Sequence, residues 1–152
     1  MNKSINTNKL QPLSEESASV QSHLQIIQSV IQRMSLNSSS CKAWSITVVS
    51  AILVLVSDKN KGELAWLALL PSLSFFALDA YYLALEKAFR ASYNSFIKKL
   101  HKNQLYPDDL FSILPKGNMF KHQLDAIRSF SIWGFYLSLI LLVIITKTII
   151  LQ

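Results

Sequence analysis

The stretch FFALDAYYLALEKAFRASYNSFIKKLHK, residues 75–102, opens as an oily run and closes as a basic one, with Asp79 where the character changes. Leu78, Tyr82, Leu85, Phe89, Tyr93, Phe96 and Leu100 recur at threes and fours, which is the spacing of a single helical stripe. No proline or glycine interrupts residues 72–106. The pattern predicts one unbroken helix that starts in an apolar phase and runs out of the membrane, with Glu86 and Arg90 as a favourable i,i+4 pair.

The neighbouring segments fit that picture. Residues 64–85 stay apolar for a length that spans a bilayer, and so does the run at 132–151. A third apolar run, 43–57, is shorter: about 22 Å of helix against a hydrocarbon core of about 30 Å. Lys42 can snorkel at its end and Trp44 can sit at the interface, so it too is expected to cross. The fold class expected is therefore an all-α membrane protein with three transmembrane helices and a long helical hairpin extending into the cytoplasm. Folding the first two spans about a turn near Asn60 brings residue 79 opposite residue 41 or 42. Asp79 and Lys42 then form an interfacial ion pair, since a lone carboxylate in lipid is expensive. A pore-lining or proton-handling acid, or a contact to a partner subunit, are the other roles open to Asp79.

Composition agrees with a membrane protein: 51% of the 152 residues are hydrophobic and only 16% charged, where soluble domains carry about 25%. Twelve of the 15 lysines and arginines fall in 1–42 and 86–128. The positive-inside rule then places the N-terminus and the central segment in the cytoplasm and the C-terminus outside a bacterial inner membrane. The first 20 residues hold no apolar h-region, so no cleaved signal peptide is expected.

Residues 1–13 read as a flexible tail. Ser14 is expected to cap a helix whose first turn holds Glu15 and Glu16. Val20, Leu24, Ile27, Ile31 and Met34 follow at alternating fours and threes. With Phe89, Tyr93 and Phe96 they form a cytoplasmic packing or oligomer face. The unit thus runs over 14–102, followed by a cytoplasmic connector at 103–131 and the third span at 132–152. In the connector Pro107, Asp108 and Asp109 start a short helix that Pro115, Lys116 and Gly117 end. Pro71 is expected to bend the second span, and Gly134 and Ser138 to allow close helix contact on the third.

Chemistry-bearing constellations are lacking. His23, His101 and His122 are scattered, with no carboxylate at ligand spacing, so neither a metal nor a cofactor is expected. Cys41, the single cysteine, excludes an internal disulfide and reads as a buried inert thiol, with palmitoylation as the alternative. No arginine has a histidine five or six residues on, as in small helical ribonucleases, and there is no phosphate-binding loop. An enzyme is not expected. Lys98, Lys99 and Lys102 suit anionic lipid headgroups, and no specific nucleic-acid binding is predicted.

The segment LDAYYLALEKAFRASYNSF, residues 78–96, resembles small multi-pass membrane effectors of bacterial antiviral defence, the SLATT-type proteins or a related family. The resemblance covers roughly residues 15–102 and rests on the aspartate-aromatic turn followed by LEKAFR. It implies a homo-oligomeric effector that permeabilises or depolarises the inner membrane when triggered, with Asp79, Glu86, Phe89, Arg90 and Tyr93 as structural residues of the hairpin. The third span departs from the two-span plan of those proteins. No nucleotide-binding domain is visible, so a separate soluble sensor is implied. A non-pore membrane adaptor holding a cytoplasmic partner is the alternative.

Overall fold

The structure, a computed structural model, describes residues 12–59 and 62–150. Most of the expected flexible tail, the tip of the first turn at Asn60 and Lys61, and the last two residues lie outside the described residues. Within them the chain is helical and has no strand. Helix α1 runs Ala18–Asp58, a 3-10 segment covers Gly62–Ala68, and α2 runs Leu69–His101. A three-residue 3-10 turn at Pro107–Asp109 precedes α3, Met119–Ile127, and α4, Phe130–Ile145, which ends in a π turn at Thr146–Ile150. Three stretches are long and apolar enough to cross a membrane; they fall within Ala18–Asp58, Gly62–His101 and Phe130–Ile149.

Helices α1 and α2 form an antiparallel hairpin. Residues 13–61 contain neither glycine nor proline, so nothing in the backbone chemistry stops α1 before its end. The sequence suggests a leg and then a separate span, but the structure joins them into one helix of 41 residues, straight through the polar run at 37–42. The seam explains this. Its four-three spacing does not stop at Met34 but continues through Ser38, Cys41 and Ser45, all buried. Three serines in a row are indifferent helix formers, and the packing of Ser38 and its successors against α2 overrides that.

Helix α2 answers with its own heptad. Ser72, Asp79, Glu86, Tyr93 and Leu100 stand seven residues apart, and four of the five are buried, Tyr93 being half-buried. Between them Ala80, Ala84 and Ala88 are 0–1% exposed, small enough to let neighbouring backbones approach. The predicted stripe is correct at the far end, where Phe96 and Leu100 are buried, but not at Leu78, which is 46% exposed. In the apolar half of α2 the inward positions are small or charged and the large apolar side chains face out, the inversion expected when lipid is the solvent. Helix α2 ends in a Schellman motif: Asn103 takes φ 53°, Gln104 N donates to Lys99 O at 3.0 Å and Asn103 N to Leu100 O at 3.0 Å.

Other expectations are corrected. The first helix begins at Ala18 after Ser17, not at Ser14, because Glu15 and Glu16 are taken up in a turn. Pro71 lies not in the middle of a helix but in the first turn of α2, just after the 3-10 segment, where its missing N–H matters least. The 107–109 helix is a single 3-10 turn, and the chain is then irregular to Asn118. Ser138 is exposed and donates to its own helix at Gly134 O, while Gly134 is crowded by Phe130 of the same helix, so neither residue makes the expected close contact between helices.

Two cores hold the molecule. One is built from Val49, Leu53 and Val56 of α1, Ala65 and Ala68 of the 3-10 segment, and Ile132, Tyr136, Leu139 and Val143 of α4. The other, at the opposite end of the hairpin, joins Val20 to Phe96, Leu100 and Leu105, with Leu13 and Leu24 against it. The connector is strapped over this end: Leu13 N donates to Leu105 O at 2.8 Å, Lys116 N to Ala88 O at 3.2 Å, and Ser92 Oγ to Leu114 O. Ile27, 2% exposed in the seam, tests whether the legs hold each other. Ile27→Ala should destabilise the folded chain by about 2–4 kcal/mol, read as a lower thermal midpoint in detergent and faster proteolysis of residues 13–36.

Candidate functional site

Near the middle of the hairpin three helices meet around one carboxylate. Asp79 of α2 is 0% exposed. Ser38 of α1, one turn before Lys42, donates its hydroxyl to Asp79 Oδ1. Lys42 Nζ stands 2.6 Å from Asp79 Oδ2 and 3.4 Å from Ser38 Oγ. The Lys42–Asp79 contact is ionic and lies off the hydrogen-bond direction, since Oδ2 closes no hydrogen bond of good geometry. From α4, buried Tyr136 turns its hydroxyl towards the same carboxylate, also without closing a hydrogen bond. Its ring is wedged edge-on between Phe76, at 5.5 Å, and Phe135, at 4.9 Å. Cys41 is buried alongside, as an apolar-like filler of the seam.

The arrangement follows from the seam. Ser38 and Lys42 are i,i+4 and therefore share a face, and the heptad of α2 puts Asp79 on the matching face. The side chain of Lys42 is 19% exposed and that of Asp79 fully enclosed, so the pair is anchored on the carboxylate side. Ser45 Oγ, Asp79 Oδ2 and Tyr136 Oη are buried without hydrogen-bond partners among the described residues. Each such group carries a desolvation penalty. The junction therefore contributes less to stability than an apolar core of equal size would, and more to register: only one sliding position of α1 on α2 gives Asp79 its cation.

A serine and a lysine so close together are the parts of a nucleophile and its base, but the geometry is wrong for that chemistry. The Ser38 proton is aimed at the carboxylate, not at the amine, and the amine is engaged by Asp79. Among the described residues no three of His, Cys, Asp and Glu come together as a metal-binding group.

The structure brings together Asp79 and Lys42, and it brings Val20, Leu24 and Phe96 into one cluster with Leu100 and Leu105. Ile27 is buried and Ile31, Met34, Phe89 and Tyr93 are half-buried along the same seam, with Gln28 Nε2 donating to Tyr93 Oη at 3.4 Å. The face proposed for packing or oligomerisation is thus largely filled from within the chain. Glu86 is buried and receives both Nε and Nη2 of Arg90 at 2.8 Å. Lys98, Lys99 and Lys102 stay apart from the junction. They lie at the end of α2, with Lys98 about 28 Å along the helix from Asp79, and Lys99 is committed to Asp109 at 2.7 Å. Sequence reading missed Ser38 and Tyr136. Extending the seam spacing past Met34 would have reached Ser38; Tyr136 has no local signal.

A second polar feature lies under the connector. His23, 1% exposed, accepts a hydrogen bond at Nδ1 from Phe111 N at 2.8 Å and stacks on Phe96 with ring centroids 4.3 Å apart. Phe111 is held at φ 59°, a left-handed backbone unusual for an aromatic residue. Burial pushes the imidazole below its ordinary 6.5, opposed in part by the Asp109 carboxylate. The hydrogen bond from Lys99 holds Asp109 below the ordinary carboxylate value, opposed by burial. Asp108, Asp109, Lys99 and Lys116 line the same cavity of about 390 Å³.

Comparison of the chain with protein-family profiles, curated proteins and solved structures finds no match. The fold and the junction therefore define only a class, an all-helical chain with three potential membrane spans clamped by a buried ion pair.

Two outcomes are expected. Removing one partner, Asp79→Asn or Lys42→Met alone, should destabilise the bundle by about 3 kcal/mol, whereas Lys42→Met with Asp79→Leu should return it close to wild type, measured by thermal unfolding in bicelles. At His23 the native state favours the neutral ring, so stability is intact above 6.5 and is lost as pH falls from 6.5 through the depressed folded value. The protection factor of the Phe111 amide should fall over that window, and His23→Gln should abolish the dependence.

Proposed function

We propose that this chain is a non-catalytic effector of a bacterial inner membrane, which oligomerises and permeabilises or depolarises the bilayer when its cytoplasmic legs receive a signal. The observation that carries this reading is that α1 and α2 each run unbroken from an apolar stretch into a leg, clamped at the junction by Lys42, Ser38 and Asp79. A helix transmits rotation or splay along its axis, so a force on the legs acts on a charge pair that holds the spans in register. In the single chain that pair plugs the polar junction between the three apolar helices, which makes the monomer a closed state. A conducting path then requires several copies, the usual route for so small a chain. Ile26 and Leu36, 41% and 57% exposed, supply apolar leg surface for copies to meet.

The charge bias supports a cytoplasmic N-terminus and legs, with the C-terminus outside. The antiphage setting, and the separate soluble sensor it needs, rest on the resemblance of residues 78–96. The adaptor reading is favoured by one feature, an open groove of about 580 Å³ between the legs, lined by Gln28, Gln32, Ser35, Arg90, Tyr93 and Asn94. It is polar, accessible and suited to a partner's polar segment.

Expression from a tight promoter with a voltage-sensitive dye separates the two. The effector reading expects depolarisation and growth arrest, strongest for Asp79→Asn and quenched again in the Lys42→Met, Asp79→Leu double variant. Unchanged potential for all three, with each protein folded in the membrane, would leave the adaptor reading in its place.

A further inference from the structure

Helix α3 is the most amphipathic of the described α-helices and has an apolar face that the described residues leave partly or largely uncovered. Its inner side is docked on α2: Ala126 is 0% exposed, Lys87 Nζ donates to Asp125 O at 2.7 Å, and the strand of connector before it is fixed by Lys116 N on Ala88 O. Its N-terminus is secured by Asn118, whose side chain accepts from Phe120 N and Lys121 N. On the outer side Phe120 is 72% exposed, Leu124 38% and Ile127 37%, and Phe130 continues the patch at 74%. Phe120, Leu124 and Ile127 are four and three residues apart, one face of α3, and Phe130 is the first residue of α4. Lys121 and Arg128 flank them, both exposed and in no ion pair among the described residues.

We propose that α3 is an interfacial helix, its Phe120–Leu124–Ile127 face seated in the headgroup layer of an anionic bilayer. Three observations converge on lipid as the occupant. The patch is continuous with α4, since only two residues separate the helices and Phe130 packs edge-on against exposed Trp133 at 5.2 Å. Lys121 and Arg128 border it with the charge that anionic headgroups attract. The height is also right. Lys87 and Ala88 lie about 12–14 Å beyond Asp79 along α2, and the headgroup layer adds about 5–8 Å to each side of the hydrocarbon. With α3 in that layer, Asp79 falls just inside the hydrocarbon edge, where a carboxylate must be enclosed and paired, as it is. The lysines at 98, 99 and 102 are then too remote to touch lipid, being well over a Debye length of about 8 Å away. The basic residues that meet the membrane are Lys121 and Arg128 instead.

The inference rests on α4 crossing a membrane and not on permeabilisation. It is tested with single cysteines at 120, 124, 127, 121 and 141 in a Cys41→Ala chain, labelled with an environment-sensitive fluorophore. The protein is reconstituted in vesicles of phosphatidylcholine with phosphatidylglycerol. Labels at 120, 124 and 127 should resist aqueous iodide and be quenched by a headgroup-proximal doxyl lipid, with 121 the reverse and 141 quenched only by deep doxyl groups. Iodide access at 120, 124 and 127 with 141 still deep would overturn the proposal and leave the spanning reading intact. Iodide access at 141 as well would overturn both. Shielding from iodide and from lipid alike would mean that protein, a second copy or a partner, covers the face, and this also defeats the proposal. Lys121→Gln with Arg128→Gln should weaken protection in the anionic vesicles and leave it unchanged in phosphatidylcholine alone; equal effects in both would remove the anionic preference.

Discussion

A carboxylate enclosed on all sides needs a cation, and the rest of this molecule is arranged so that Asp79 has one. Lys42 can reach it only if α1 continues as helix through a run of serines, if α2 presents residue 79 inward, and if the two helices are in one register. Sliding either helix by a turn would strand a charge, with a penalty of several kcal/mol, so the pair selects a single alignment out of several that apolar packing alone would tolerate. Ser38 completes the carboxylate's coordination from the same helix face, and Tyr136 brings α4 to the junction. The hairpin and the third span are thus joined at a polar point between two apolar cores.

This division gives the bundle two ends of different character. Towards the 3-10 segment, packing is by valine, leucine and alanine, and Lys147 sits 5.0 Å over the Trp66 ring where α4 meets the far end of the hairpin. Towards the legs, packing is by Val20, Phe96 and Leu105 beneath a connector held by backbone hydrogen bonds and by buried His23. The leg end resembles a soluble helical protein, with large apolar residues inside. At the other end α2 inverts that order, with Ser72, Asp79 and the alanines inside and Leu70 and Leu73 outside, while α1 and α4 still bury Val49, Leu53, Ile132 and Val143. The change of sense occurs along α2, without a break in its backbone.

Helix α3 fits between these ends in height. It is too short and too polar on one side to cross anything, and its apolar face has no full cover among the described residues. Its position beside Lys87 and Ala88, one helical layer above the junction, makes it a collar at the level where the inside-out half gives way to the soluble-like half.

The amino-acid sequence by itself determined the helical class, the number of apolar stretches, the unbroken run of α2 and the facing of Asp79 and Lys42, because these depend on periodicity, on hydrophobic length and on counting back from one turn. It also carried the Glu86–Arg90 pair, a purely local matter of spacing. It was silent on the continuation of α1 through 37–42, since serine and cysteine look like a boundary until the seam on the opposite helix is known. Tertiary structure alone decided that Leu78 faces out while Ala80, Ala84 and Ala88 face in, that Val20 and Phe96 fill each other's space, and that Tyr136 completes the junction. Those outcomes depend on which residues far apart in the chain come to share a volume, and periodicity carries no information about a partner that lies 57 residues away.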